Sequence, residues 1–406
     1  MTFLDGSKPR KIGLFLGIES RSGGMFQYAQ SLIEALSAIG ERYEVTVVYR
    51  DANWLPILRR LGMRGCKLKH IRFGMFFADI ATVFRLPGKL TRFVGKILNP
   101  LVRELLVLEC DLWIFPAQES LTYQVPFRPI GTIHDLMHRY QSSFPEVGAN
   151  GRYGIREHRL KNIANWSAGV LVDSELGRRH VVESYNSPST QVHPLPYIAP
   201  SYLRCMVERP DFDTFYKLPP KFIFYPAQFW SHKNHLRLLD VVQQLAKRFS
   251  NIALVLSGGQ NHCYQEVKKH AENLGINDRV RFVGYVPDAD MSGFYRRARA
   301  LVLPTFFGPT NIPPLEAMSI GCPVIISGIF GMPEQCGDAA LYFDPKSTNE
   351  MALQIALVWN DDDLAFEMSR KGLEHIQRRG QPQFNQRLAE IIGKVFAGSG
   401  ASAQSL

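Results

Sequence analysis

With 406 residues, the chain has room for two domains at about 100–200 residues each. Hydrophobic residues make up 46% and charged residues 21%, which excludes a disordered chain, a collagen-like repeat and a disulfide-stapled mini-protein. The formal net charge of +10 calls for an acidic partner.

The first apolar run, Ile12 to Ile18, reads as a buried strand over 11–17. It is too short for an export signal, and Glu19, Ser20 and Arg21 follow it without a small-residue cleavage pattern. The chain holds no run of 18 apolar residues, so no membrane-spanning helix is expected. Ser22-Gly23-Gly24 comes next, before a helix over 25–39 that places Met25, Tyr28, Ala29, Leu32, Ala35 and Leu36 at helical spacing. Glycines at a strand-to-helix junction let backbone come close to a phosphate or sugar, and the helix start offers N–H groups. The same residues also suit a plain tight turn. The spacing is not G-x-G-x-x-G, so the dinucleotide fingerprint is absent.

A strand over 44–49 leads into the most basic part of the chain. Residues 59–103 hold eleven Lys and Arg against one acid, Asp79, so this stretch alone carries as much surplus charge as the whole chain. Its basic residues alternate with Phe73, Met75, Phe76, Phe77, Val83, Phe84, Leu86, Phe93, Ile97 and Leu98. One reading is an interfacial helix that lays apolar residues among anionic headgroups while Lys and Arg meet lipid phosphates. Another is a solvated basic face over ordinary core residues. Nucleic acid is disfavoured, because no homeodomain, zinc-finger or RNP-type signature accompanies the charge.

Strands over 112–115, 129–133 and 168–172 complete the first half. His134 and Asp135 sit at the end of the second of these, where His134 could meet a sugar hydroxyl or a reacting group, or serve only the core. Asp173-Ser174-Glu175 reads as a helix cap or a wall of a cleft. Six prolines between 194 and 220 interrupt the alternation and mark a linker. Strands over 221–226, 252–257, 280–283, 300–304, 323–327 and 340–343 follow, with a helix over 234–248. Strand–helix alternation with nearly continuous Val, Ile, Leu and Phe predicts parallel, doubly wound sheets. Ligands of such sheets bind at the carboxyl ends of the strands.

Two windows in the second half sit at such ends. Tyr225 to His235 contains Lys233, which could neutralise a diphosphate or simply be solvated. Pro304 to Pro323 reads as strand end, Gly/Pro/Asn loop and short helix, capped near Thr310 or Asn311 and stopping at Gly321. Glu316 in that helix could complement its dipole or accept bonds from two ribose hydroxyls. The six cysteines, at 66, 110, 205, 263, 322 and 336, show neither a C-x-x-C pair nor a zinc spacing, and are expected as reduced thiols.

The chain resembles the retaining glycosyltransferases of family 4, also called group 1, which have the GT-B fold. The matching pieces are Gly23-Gly24, His134-Asp135, Val172-Asp173-Ser174, Lys233-Asn234, Val255 to Gly259, Val283 to Val286, Ala300 to Pro304, Leu315 to Met318 and Gly321 to Val324. The resemblance implies an α/β protein of two doubly wound Rossmann-like domains facing across a cleft. Residues 1–200 would be the acceptor-side domain and 201–380 the nucleotide-sugar domain. Residues 381–406 would be a C-terminal helix that packs back on the N-terminal domain, with a frayed tail from Gly398.

By the same resemblance, a hexose passes from a nucleoside-diphosphate sugar, with a lean toward GDP-mannose or a GDP-deoxyhexose. It goes to a glycan or lipid-linked acceptor in bacterial surface polysaccharide synthesis, without a metal or further cofactor. Lys233 would hold the diphosphate, Glu316 the ribose, and backbone from Pro309 through Thr310 and Asn311 to Ile312 the sugar. Gly23 and Gly24 would approach the donor, and His134 would lie near the reacting face. The expected location is the cytoplasm, peripheral on the inner face of the plasma membrane through residues 59–103.

Two positions depart from the family pattern. Gly308 stands where a Glu is usual eight residues before Glu316, and Gln228 where a basic residue is usual five before Lys233. The departures keep two alternatives open: a GT-B nucleotide-sugar epimerase or hydrolase, and an inactive nucleotide-sugar-binding partner.

Overall fold

Most strands form where aliphatic and aromatic residues run together, and those at the centre of each sheet are buried, as sheets covered on two faces require. The computed structural model of the protein describes residues 9–19, 23–40, 42–204 and 209–403. Ser20, Arg21, Ser22, Cys205 and residues 404–406 lie outside the described residues. The chain divides into two compact units.

The first unit comprises Met1–Tyr140, Asn150–Pro196 and Gln381–Leu406. Its sheet has seven strands: β1 (Arg10–Leu16), β2 (Tyr43–Tyr49), β3 (Gly65–Cys66), β4 (Leu112–Ile114), β5 (Ile130–Thr132), β6 (Gly169–Val172) and β7 (Val192–Pro194). They run in the order β3-β2-β1-β4-β5-β6-β7, with every pairing parallel. The helix Gly24–Ala38 follows β1 and packs against the last helix, Gln381–Ala403. That last helix continues through Gly398, where the sequence suggested a frayed tail. Ser174 caps the helix Glu175–Tyr185, its Oγ accepting the Gly177 N–H at 3.0 Å.

The second unit comprises Gln141–Ala149 and Tyr197–Gly380. Its sheet has six strands: β8 (Ile223–Pro226), β9 (Leu254–Ser257), β10 (Val280–Gly284), β11 (Ala300–Leu303), β12 (Val324–Ser327) and β13 (Ala340–Phe343). The order β10-β9-β8-β11-β12-β13 is that of a doubly wound nucleotide-binding sheet, again wholly parallel. One continuous core fills it, built on Phe222, Phe224, Tyr225, Phe294 and Tyr295.

The division differs from the partition at 200/201. The chain leaves the first unit after Pro196, and residues 141–149 join the second although both flanking segments belong to the first. The physical reason is a local cluster. Phe144 packs against Phe306 and Phe307 at ring-centroid distances of 5.5 Å, and the Glu146 side chain reaches His232. The proline-rich interval is also less plain than its composition suggests. It begins at the end of β7 and holds a short turn at Ser201–Arg204 and a helix at Phe212–Tyr216.

Candidate functional site

In a sheet of this order, the loops after the first and fourth strands diverge at the switch point and leave a crevice for a ligand. In the second unit those loops follow β8 and β11. They are tied together locally: Asn234 Nδ2 donates to the Pro304 carbonyl at 2.9 Å, and the Phe306 N–H donates to the His232 carbonyl at 2.8 Å. Asn234 adopts the left-handed conformation at φ 61°, which asparagine tolerates better than most residues, and from there the helix His235–Ala246 begins.

Lys233 and the residues Gly308 to Ile312 therefore lie on adjoining loops. The half-buried Lys233 Nζ reaches Asn311 Oδ1 at 3.4 Å. Burial lowers its ammonium to about 8, with the Glu146 carboxylate working in the opposite direction. Burial raises the Glu146 carboxyl, but hydrogen bonds from His232 and the backbone, with the nearby His232 ring, together outweigh it and hold the group down at about 2. His232 Nδ1 stands 3.2 Å from Glu146 Oε1, and its ring stacks on Phe307.

The short helix Ile312–Ser319 starts at Asn311, with Pro313 and Pro314 in its first turn. The Asn311 side chain makes no capping bond; it faces Lys233, and its backbone N–H donates to Gln335 Oε1 at 3.0 Å. Gly308 has φ 109°, a region L side chains rarely adopt, and a Cβ there would lie 2.6 Å from Asn311 Nδ2. Any side chain at 308 would be strained by this backbone, which glycine adopts freely. Pro309 sits between these residues, Thr310 is buried, and Ile312 turns its side chain into the protein. Gln228 is exposed, and its carbonyl oxygen accepts from Trp230 Nε1 at 2.7 Å and Asn261 Nδ2 at 3.1 Å.

Glu316 is buried, with 7% of its surface exposed. Both oxygens are engaged: the Tyr202 hydroxyl donates to Oε1 at 2.7 Å and the Tyr295 hydroxyl to Oε2 at 2.6 Å. Burial raises the carboxyl, and the two tyrosine bonds counter part of that rise. Sequence reasoning missed Tyr202, Tyr295, Glu146 and His232. Only His232, beside Lys233, lay in a window already marked by its strand-end position.

The remaining predicted residues lie in the first unit. Gly23, with φ 57°, precedes the helix Gly24–Ala38, and both glycines are exposed. His134 follows β5 and is buried. Its Nε2 is 3.0 Å from the Pro116 carbonyl, which assigns the proton to that nitrogen. Burial lowers the imidazole to about 4, so the ring is neutral at neutral pH. Arg156 pairs with Asp135 at 2.6 Å. Among the described residues, no group of three His, Cys, Asp or Glu side chains could hold a metal ion.

The basic stretch forms a surface of unusual polarity. The helix Gly88–Leu98 buries Thr91 and Gly95 and exposes Leu90, Phe93, Ile97 and Leu98. The helix Ile71–Val83 likewise turns Gly74, Ala78 and Ala81 inward and Phe73, Phe76, Ile80 and Val83 outward. Phe84, 73% exposed, lies between the two helices in sequence. Ten of the basic side chains are exposed; Arg92 folds in, donating to the Pro126 carbonyl at 2.9 Å. Met75 and Phe77 are half-buried. Among the described residues, no helix is long and apolar enough to cross a membrane.

Residues 208–375, which carry the loops after β8 and β11, match the family model "Glycosyl transferases group 1". The O-antigen chain mannosyltransferase B of Escherichia coli is 27% identical over 255 residues, covering 61% of this chain and 65% of that protein. The alignment thus spans just under two thirds of that relative's length. The sucrose-phosphate synthase of Thermosynechococcus elongatus superposes with a TM-score of 0.73 at 21% identity, covering 96% of this chain and 100% of that one. Anabaena HepE, solved in complex with UDP and glucose, gives 0.71 at 16% identity, covering 95% of this chain and 100% of its own. The fold is the two-unit Rossmann-like α/β fold of the GT-B class.

Proposed function

We propose that the chain is a retaining glycosyltransferase that moves a hexose from a nucleoside-diphosphate sugar to a glycan or lipid-linked acceptor of a surface polysaccharide. The observation that carries this reading is the approach of Lys233 to Asn311 on the adjoining loops after β8 and β11, inside the stretch that matches the family. The mannosyltransferase relative supports mannose as the sugar, and so GDP-mannose over a GDP-deoxyhexose as the donor. The HepE complex with UDP and glucose supports a nucleotide and a sugar as the class of ligand.

Departure of a nucleoside diphosphate builds negative charge on its phosphate. The Lys233 ammonium would stabilise that charge without a metal ion. The start of Ile312–Ser319 would add its helix dipole rather than a row of donors, since Pro313 and Pro314 carry no N–H and the Asn311 N–H already donates to Gln335. Backbone from Pro309 to Ile312 would hold the sugar, with Glu316 on the ribose. Gly23 and Gly24 would approach the donor, and His134, a neutral ring, would stand near the reacting face as a hydrogen-bonding group rather than a cation. The departing phosphate would take the acceptor's proton.

The outward phenylalanines and exposed Lys and Arg of residues 59–103 suit an anionic bilayer, since apolar side chains enter the headgroup boundary while the cations meet phosphate. The enzyme would then work in the cytoplasm, at the inner face of the plasma membrane, where a lipid-linked acceptor is found.

A thermal-shift screen against UDP, GDP, ADP and CMP tests the donor class, because a ligand of the native state raises its stability. GDP is expected to stabilise most. Turnover of the matching nucleotide sugar should keep the anomeric configuration and persist in EDTA. Lys233→Ala and Glu316→Ala should each lower turnover about 10²-fold or more. No stabilisation by any nucleotide, or full activity in both variants, would overturn the reading.

A further inference from the structure

Glu316 is where the proposed donor site and the observed contacts disagree. A carboxylate that receives a ribose diol needs room at its oxygens for two neighbouring hydroxyls. Here each oxygen already accepts one, from Tyr202 and from Tyr295. The two tyrosines are held very differently. Tyr295 is 1% exposed on the helix Asp288–Arg297, its ring edge-on to Phe224 in the core. Tyr202 is half-buried on the single turn Ser201–Arg204, a few residues after the chain enters the second unit at Tyr197. Withdrawing Tyr295 would open the core, whereas Tyr202 packs at the edge of that core on a single turn, so its departure disturbs less.

We propose that Tyr202 is a built-in stand-in for a ribose hydroxyl, holding Glu316 Oε1 until the nucleotide takes its place. The inference rests on the reading of Glu316 as the ribose ligand. A buried carboxylate oxygen without a partner costs more than one that is hydrogen-bonded, so the phenol orients Glu316 and counters part of the rise that burial imposes on its carboxyl. Binding then exchanges one hydroxyl donor for another, and the nucleotide gains less than it would at an open oxygen. Tyr295 stays on Oε2 as a fixed positioning group and shares that oxygen with the second ribose hydroxyl, since a carboxylate oxygen has two lone pairs.

Calorimetric titration of the full chain with GDP and 2′,3′-dideoxy-GDP tests this, with UDP and its dideoxy form as a second pair. Wild type should prefer the ribose form. Tyr202→Phe keeps the ring but removes the competing donor. It should tighten the ribose form about three- to tenfold, the scale of one hydrogen bond, and leave the dideoxy form unchanged. If wild type discriminates but Tyr202→Phe leaves GDP unchanged or weakens it, the stand-in role is overturned while Glu316 keeps its ribose. If wild type binds both forms equally and Glu316→Gln changes neither, the ribose assignment itself fails. Absence of binding for both pairs overturns the donor site and the stand-in together.

Discussion

The side-chain amide of Asn234 donates to the Pro304 carbonyl at 2.9 Å, joining two residues 70 apart in the chain and fastening the loop after β8 to the end of β11. A second bond, to the Pro345 carbonyl at 2.9 Å, brings in the residues that follow β13. One buried side chain thus holds the frame in which Lys233 sits.

Asn234→Ala should therefore act on stability and activity together. It removes two buried bonds, leaves carbonyls unpaired and puts a less tolerant residue at φ 61°. A loss of about 2 kcal/mol or more is expected, read as a drop of several degrees in the melting temperature. Asn234→Gly restores the backbone freedom and should recover only the smaller part of that loss. A melting temperature unchanged by Asn234→Ala would show that the loops are held by other contacts.

Nucleotide affinity should fall as the pH rises past about 8. The Lys233 ammonium is lowered to that value, so the cation that meets phosphate is present below it and lost above it. Lys233→Arg should flatten the profile, because a guanidinium stays charged throughout. The measurement is the Kd for GDP between pH 6.5 and 9.5, chosen as about one and a half units on either side of the midpoint. A flat profile in wild type would remove Lys233 from the phosphate.

Restoring the family's glutamate at position 308 should lower turnover rather than raise it. The backbone at φ 109° is strained for any side chain, and a Cβ would press on the Asn311 amide that faces Lys233. Gly308→Ala should show most of the same loss, since the conflict begins at Cβ. Initial rates with saturating donor decide it, and a gain in Gly308→Glu would mean that the loop is free to take another path.

The outward phenylalanines predict vesicle binding. The protein should float with vesicles containing phosphatidylglycerol and stay behind with pure phosphatidylcholine. Replacing Phe84 and Phe93 by serine should abolish flotation and leave the melting temperature nearly unchanged, because both side chains are already exposed. Equal flotation with both kinds of vesicle would exclude a role for the basic residues.

What the sequence by itself determined is the local part of this protein. Most strands lie within a residue or two of the apolar runs that announce them, because a strand covered on both faces must be apolar along its whole length. Lys233 and Gly308 to Ile312 could be marked as candidates for the same reason: strand ends show where loops must be. The strands β3 and β7, two and three residues long, carry too short a pattern to stand out.

Only the tertiary structure decided the rest. Tyr202 meets Glu316 across 114 residues of chain, and Glu146 meets His232 across 86. No periodicity in a sequence window can announce such pairs, since they exist only once separate elements pack. The same holds for direction. Alternating basic and apolar residues fit a core-facing helix or an interfacial one equally well. The packing of Thr91 and Gly95 inward is what turns Phe93 and Ile97 out.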